Sequence, residues 1–368
     1  MTSTLPALLL ALVLLVLLAW AFARWRLQGP DQAAFDRPVA ERFARADAPA
    51  AELQGVVASL AGVRVALDGV PLRGRNAVLR RYLDGLFADR GFAARFVPVD
   101  AGGVRGEWVL AAGADPARRL LYLHGGAFSV GSPRSHRTLT TQLAQRAGAV
   151  VLALDYRLMP EHRRRDGIDD CRRAYRWLLA HGPDGPAPAA TVFVAGDSAG
   201  GNLTLALLAW ARDAGLRAPD AAVALSPLTD ATLGSPSMRR NVATDPMLGP
   251  LFGWMAKLPR WLLLWGSWAQ TRIRPCDPLV SPLLGELSRL PPVLVQASEA
   301  EMLHDDAQRW VAKAQAAGSP ARLQTWPQMV HVWQIFNPEL SEARAALEQV
   351  GRFLDEVAPR RGLPAAAA

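Results

Sequence analysis

Apolar and polar positions alternate along this chain with a rhythm that changes several times. From Arg119 onward, short apolar runs at 120–123, 149–154, 191–195, 221–225, 292–297 and 321–326 are separated by amphipathic stretches at 136–147, 166–179, 198–214, 307–317 and 342–357. Buried strands of four to eight residues alternating with helices predict a mostly parallel sheet covered by helices on both faces, an α/β architecture. Two earlier runs, 94–99 and 106–111, flank Asp100-Ala101-Gly102-Gly103 and predict a hairpin. Between Arg24 and about Gly91 the chain is charged and helical in tendency, and AAFDRPVAERFARA and NAVLRRYLDGLFADRG are its clearest amphipathic pieces.

Two segments break the rhythm. Residues 233–276 carry Trp254, Trp261, Trp265 and Trp268 with weak strand character. Inserted between sheet strands, they are expected over the C-terminal edge of the sheet as a helical cap, where open α/β folds bind ligands. A packed helical excursion is the plainer alternative. The other segment is 5–23, which has no charged residue. Its eighteen residues 6–23 would form about 27 Å of helix, near the thickness of a hydrocarbon core. Trp20, Phe22, Arg24 and Arg26 read as interface anchors. A cleaved signal is the alternative because Ala21-Phe22-Ala23 resembles a cleavage site, but Met1–Thr4 carry no basic residue. The expected organisation is an anchor or signal at 1–23, a helical region contributing to the cap at 24–88, a catalytic domain at 89–232 and 277–360, the cap at 233–276, and a disordered tail at 361–368.

Composition narrows the function. The formal charge of +8 comes from scattered arginines, and the longest basic run is Arg163-Arg164-Arg165. The alternating charges from Arg163 to Asp170 read as a solvated first turn of a helix. No aromatic-interleaved basic stripe supports nucleic-acid binding, whereas attraction to anionic lipid headgroups fits the N-terminal run. Cys171 and Cys276 cannot form a disulfide framework or a cysteine-based metal site; two free thiols are expected, with a single disulfide between them as the alternative. There is no dinucleotide or phosphate-binding loop, so no cofactor and no metal are expected.

The chemistry is concentrated in two motifs. Gly196-Asp197-Ser198-Ala199-Gly200 follows an apolar strand and opens a helix, the setting of a nucleophile elbow, with Gly196 and Gly200 small because backbone closes in on them. Ser198 is the expected nucleophile, activated for acyl transfer. His124-Gly125-Gly126-Ala127-Phe128 follows the strand at 120–123, and N–H groups of such a loop complete an oxyanion hole beside the elbow. In this chain order the base comes last, leaving His304 and His331 among six histidines. His331 follows the last strand on a loop able to reach the sheet edge, so it is the expected base. The acid belongs after strand 292–297, where Glu299, Glu301, Asp305 and Asp306 crowd together. Asp305 reads as a cap of the following helix.

Four segments, Tyr122–Phe128, Asp155–His162, Gly196–Asn202 and Asp277–Pro282, together with Met329–Trp333, make the chain resemble the hormone-sensitive-lipase-like family of α/β-hydrolases, bacterial carboxylesterases with relatives such as arylacetamide deacetylase. The resemblance covers roughly residues 90 to 355. It implies a serine carboxylesterase acting on short- to medium-chain esters through an acyl-enzyme. It implies Glu301 as the acid and an oxyanion hole drawn from Gly125, Gly126, Ala127 and Ala199, with Ala127 where relatives more often have a third glycine. His124, Gly196, Asp197 and Gly200 would support these motifs, and Asp155-Tyr156-Arg157 would form a charged network behind the sheet edge. An amidase or deacetylase, a lactonase, an acyltransferase, and a non-catalytic binding protein of the same fold are the alternatives. The expected partners are a small hydrophobic ester and a membrane, with the oligomeric state open and a homodimer among the options. The arginines after residue 23 place the body on the cytoplasmic side, with export after cleavage as the alternative.

Overall fold

A computed structural model describes residues 4–44 and 50–360. The expected tail at 361–368 lies outside the described residues. Eleven strands are described: β1 (Ala40–Arg42), β2 (Ala94–Asp100), β3 (Arg105–Ala111), β4 (Asp115–Leu123), β5 (Ala149–Leu154), a short pair β6 (His181–Gly182) and β7 (Gly185–Pro186), β8 (Thr191–Asp197), β9 (Ala221–Leu225), β10 (Val293–Ser298) and β11 (Ala321–Trp326). Nine form one sheet in the order β1-β11-β10-β9-β8-β4-β5-β3-β2. All neighbours are parallel except β5–β3 and the β3–β2 hairpin. The predicted strands 120–123, 149–154, 191–195, 221–225 and 321–326 fall inside this sheet, as does 292–297 apart from Pro292, which precedes β10.

Alternation along the strands explains the two covered faces. Leu120, Tyr122, Val151 and Phe193 pack with α4 (Arg137–Ala147) and α11 (Ser341–Val357). The intervening Leu121, Leu123, Leu152 and Val194 pack with α5 (Arg164–Ala180) and α6 (Ala199–Asp213). Toward β10 and β11, α10 (His304–Ala316) continues that second layer through Trp310, which is fully buried. Strand order reverses between β4 and β8, and loops after the carboxyl ends of such strands open onto a crevice.

The N-terminal part departs from expectation. The stretch read as the helix AAFDRPVAERFARA holds a 3-10 turn at Ala33–Phe35 and then β1, which pairs with β11. A sheet edge takes precedence over helical periodicity there, because β11 otherwise leaves backbone groups unpaired. Two helices follow, α2 (Ala50–Leu67) and α3 (Arg75–Gly85). Val56, Leu53 and Leu60 of α2 pack with Trp326 and Met329, beside the loop after β11.

The opening helix α1 (Thr4–Phe22) continues through a π-helical turn at Ala23–Leu27. The 5–27 stretch and α2 are long and apolar enough to cross a membrane by length and composition. The insertion forms α7 (Ser237–Arg240), α8 (Leu248–Phe252), a 3-10 turn at Gly253–Lys257 and α9 (Arg260–Thr271). Trp261, Trp265 and Trp268 of α9 meet Phe22, Ala23 and Leu27 rather than the sheet.

Two charge assignments also change. Arg164 and Asp170 are buried, not solvated. The Arg164 guanidinium lies 3.6 Å over the Phe128 ring and donates to Asn202 at 2.8 Å. Asp170 accepts from Arg157 at 2.8 and 2.9 Å. Asp305 does not cap its own helix; its carboxylate accepts the Ser237 N–H at 2.8 Å and Arg240 at 3.0 Å.

Trp310→Ala should empty the layer between α10 and the sheet. The expected cost is about 3–5 kcal/mol, read from denaturant unfolding in detergent; a loss below 1 kcal/mol would show that this layer collapses freely.

Candidate active site

The register of β4 on β8 pairs Leu123 with Gly196. The loops leaving these strands therefore start side by side. A Cβ on Gly196 would lie 2.6 Å from the Leu123 carbonyl oxygen, and one on Gly200 would overlap that oxygen. Both glycines are required by this approach. Ser198 sits at φ 52° and ψ −115°, a conformation side chains rarely adopt, at the N-terminus of α6. Such an elbow lifts its hydroxyl off the sheet edge.

His331 Nε2 lies 2.9 Å from Ser198 Oγ, and its Nδ1 lies 2.6 Å from Glu301 Oε2. Glu301 is fully buried, and its other oxygen accepts the Ser298 N–H at 2.9 Å. The loops after β10 and β11 are tied together by the Ser298 hydroxyl, which donates to the Met329 carbonyl at 2.6 Å. Glu299, two residues away, is occupied elsewhere, pairing with Arg42 of β1 at 2.7 Å. His304 instead lies 2.9 Å from Asp305. The structure thus brings Ser198, His331 and Glu301 together and leaves the other candidates apart.

Burial disfavours a charged imidazole, but the hydrogen bond and charge of Glu301, with the charges of Asp245 and Asp197, outweigh it and hold the His331 pKa above its ordinary value. The Glu301 carboxylate also fixes the tautomer, since only a protonated Nδ1 can donate to it; Nε2 is left to accept from Ser198.

The oxyanion loop is tightly held. Tyr156 donates to the His124 carbonyl at 2.6 Å. His124 is buried and its pKa is lowered to about 3, first by burial and then by His136, so the ring is neutral. Its Nδ1 lies 2.7 Å from the Gly125 carbonyl, which can only accept, so Nδ1 carries the proton. The Gly125 N–H donates to Asp197 at 3.0 Å, and the same oxygen accepts the Tyr122 hydroxyl at 2.5 Å. Gly125 is therefore a brace for the loop and not a free donor, which corrects the four-donor expectation. The N–H groups of Gly126, Ala127 and Ala199 find no acceptor among the described residues. Ala127 and Phe128 have φ of 51° and 59°, strain that Asp197, Tyr156 and Arg164 together hold in place.

Sequence reasoning missed how the insertion grips the acid loop. Asn241 donates to the carbonyls of Glu299 and Glu301, each at 2.9 Å. Asp245 accepts the Met302 N–H at 2.9 Å, and Ser237 donates to the Met302 carbonyl at 2.8 Å. Asn241 and Asp245 have no motif around them that would have signalled this. Two hollows of about 590 and 320 Å³, one lined by Asp84, Glu107 and Asp155 and one by Met159, His162 and Gln270, do not include the three residues above.

Comparison with known proteins follows the same lines. Residues 120–335 match the family described as alpha/beta hydrolase fold. An acetyl-hydrolase of Streptomyces hygroscopicus is 41% identical over 70% of this chain and 81% of its own length. Esterase LipU of Mycobacterium tuberculosis is 37% identical over 66% of this chain and 80% of its own. A crystal structure of an esterase from the bacterial hormone-sensitive lipase family superposes with a TM-score of 0.72 at 34% identity, covering 84% of this chain and 99% of that one.

Two outcomes are expected from this geometry. Ester hydrolysis should rise with pH as His331 loses its proton, with a midpoint in kcat/KM above 6.5; Glu301→Gln should move that midpoint down, and an unmoved midpoint would contradict the pairing. Asp197→Asn should loosen the brace on Gly125. A fall in kcat of about 10- to 100-fold is expected, smaller than the roughly 10²–10³ lost with an oxyanion donor itself, with KM little changed; normal kcat would make the brace dispensable.

Proposed function

We propose, from the premise that this chain belongs to the α/β-hydrolase family of bacterial hormone-sensitive-lipase-like esterases, that Ser198, His331 and Glu301 are its catalytic triad. The chain is a carboxylic ester hydrolase. The observation that carries the assignment is the single imidazole bridging Ser198 at 2.9 Å and Glu301 at 2.6 Å.

In this reading His331 takes the Ser198 proton as the oxygen attacks the ester carbonyl. The oxyanion is received by the N–H groups of Gly126, Ala127 and Ala199, reinforced by the N-terminus of α6. The alcohol leaves with the proton from His331, and water then repeats the sequence on the acyl-enzyme. Each proton passes through one imidazole, so no metal or organic group is needed for this cycle. The 233–276 insertion and the 24–88 region serve as cap; the apolar insertion favours uncharged acyl groups, and kinship with the esterases favours short to medium chains. The helix at 4–22 serves as a membrane anchor, with the body on the cytoplasmic side; a cleaved signal is the competing reading.

Ser198→Ala and His331→Ala should each lower kcat by about 10⁴-fold or more, because triad members act as a unit. Hydrolysis of p-nitrophenyl esters from acetate to palmitate reads both the loss and the acyl preference; a variant retaining a tenth of the rate would remove its residue from the triad. Glu301→Gln should cost orders of magnitude and Glu299→Gln little, and the reverse result would transfer the acid role to Glu299. Alkaline carbonate washing should leave the full-length protein in the membrane pellet, whereas recovery in the supernatant would rule out the anchor.

A further inference from the structure

The geometry points to a second membrane contact, in which the outer surface of the insertion, bearing Trp254, Leu258 and Leu262 beside Lys257 and Arg272, beds on an anionic bilayer where α1 enters it. This rests on the anchor reading and adds to it a fixed attitude of the catalytic body.

The first observation is the clamp between α1 and α9. Trp265 donates its indole N–H to the Ala19 carbonyl at 3.0 Å, and Phe22 stacks on Trp265 and Trp268 at 5.2 and 5.8 Å. Leu264 is buried with Ala23 and Leu27. A span so gripped does not swing on a linker, and whatever flanks α9 is carried to the bilayer surface. Leu262 follows Trp261 by one residue, about 100° round the helix, so it flanks the clamping face.

The second observation is where exposed apolar bulk lies. Beyond α1, and among the described residues, every exposed large apolar side chain except Val97 lies at Trp25, in 57–72 or in 251–262. Trp254 is 57% exposed. Such residues cluster where protein meets an apolar partner.

The third observation is charge. Residues 233–276 hold six basic residues and one acid, and that acid, Asp245, is buried. Lys257, Arg272 and Arg274 are exposed, as are Arg24 and Arg26 at the end of α1. Aromatic and leucine side chains rimmed by uncompensated cations form the pattern of an interfacial surface on anionic lipid. Because the same insertion grips the Glu301 loop, a bilayer contact on its outer surface is linked by hydrogen bonds to the acid turn.

The test attaches an environment-sensitive fluorophore at Trp254→Cys in a Cys276→Ser background, on the full-length chain reconstituted into phosphatidylcholine–phosphatidylglycerol vesicles. A control label at Asp213→Cys sits at the far end of α6 from Ser198, about 22 Å along the helix. Both variants are first checked for retained p-nitrophenyl acetate hydrolysis. At position 254, lipid-borne doxyl groups should quench at least threefold more than at 213, and aqueous iodide should quench less. Carbonate-resistant protein whose 254 label is quenched by iodide and not by lipid would overturn the bed while leaving the anchor standing. Shielding from both quenchers would assign the face to a second copy of the chain and equally overturn it. Release by carbonate would remove the anchor, and the proposal with it.

Discussion

Parallel pairing of β4 with β8 forces the backbone after each strand into contact, and the catalytic geometry depends on that closeness. The Leu123 carbonyl oxygen occupies the space that a side chain on Gly200 would need. Only a glycine there lets α6 start against the end of β4, with Ser198 and the 124–127 loop facing one point. The contact is unforgiving because both partners are main chain and neither can rotate away. Asp197 then uses the same adjacency, reaching from the end of β8 to the Gly125 N–H and to Tyr122 of β4. Strain at Ala127 and Phe128 is thus held by Asp197 across the strand pair together with Tyr156 and Arg164 from beyond it.

The acid and base arrive from farther along the sheet and need separate support. Glu301 and His331 lie on loops after β10 and β11, two and three strands away from β8. Ser298 joins those loops to each other, Ser226 accepts the Val332 N–H at 3.2 Å, and Asn241 and Asp245 press the acid loop from the insertion. The insertion is therefore bonded to the turn that sets the His331 tautomer as well as to α1. A displacement of α9, which packs on α1, would pass through the insertion and the Asn241 and Asp245 hydrogen bonds to that turn.

The legible parts of the molecule were those with local causes. Strand-turn-helix at 191–200 and the glycine loop after β4 identify themselves through short-range pattern, and chain order together with a place on the loop after the last strand separates His331 from its rivals. The choice between Glu299 and Glu301 had no local signal, since both lie on one loop two residues apart. In the structure Arg42 holds Glu299 from a strand that helical periodicity conceals, and Glu301 is the one that meets His331. Arg164 was misread for a similar reason: its charge says surface, but Asn202 and Phe128, distant in sequence, bury it while its pKa falls only to about 10. Gly125 was placed in the right loop with the wrong task, because whether its N–H is free depends on the register of β4 against β8.

A triad built on Ser198, His331 and Glu301 requires that Ser198 Oγ be the atom acylated in turnover. Incubation with a fluorophosphonate, which phosphonylates an activated serine irreversibly, followed by intact-mass measurement and peptide mapping, tests it most directly. One adduct per chain is expected on the peptide containing Ser198, formed in step with loss of esterase activity and more slowly as His331 becomes protonated. Full inactivation with the adduct on another residue, or a chain that hydrolyses esters and never takes up the label, would contradict it.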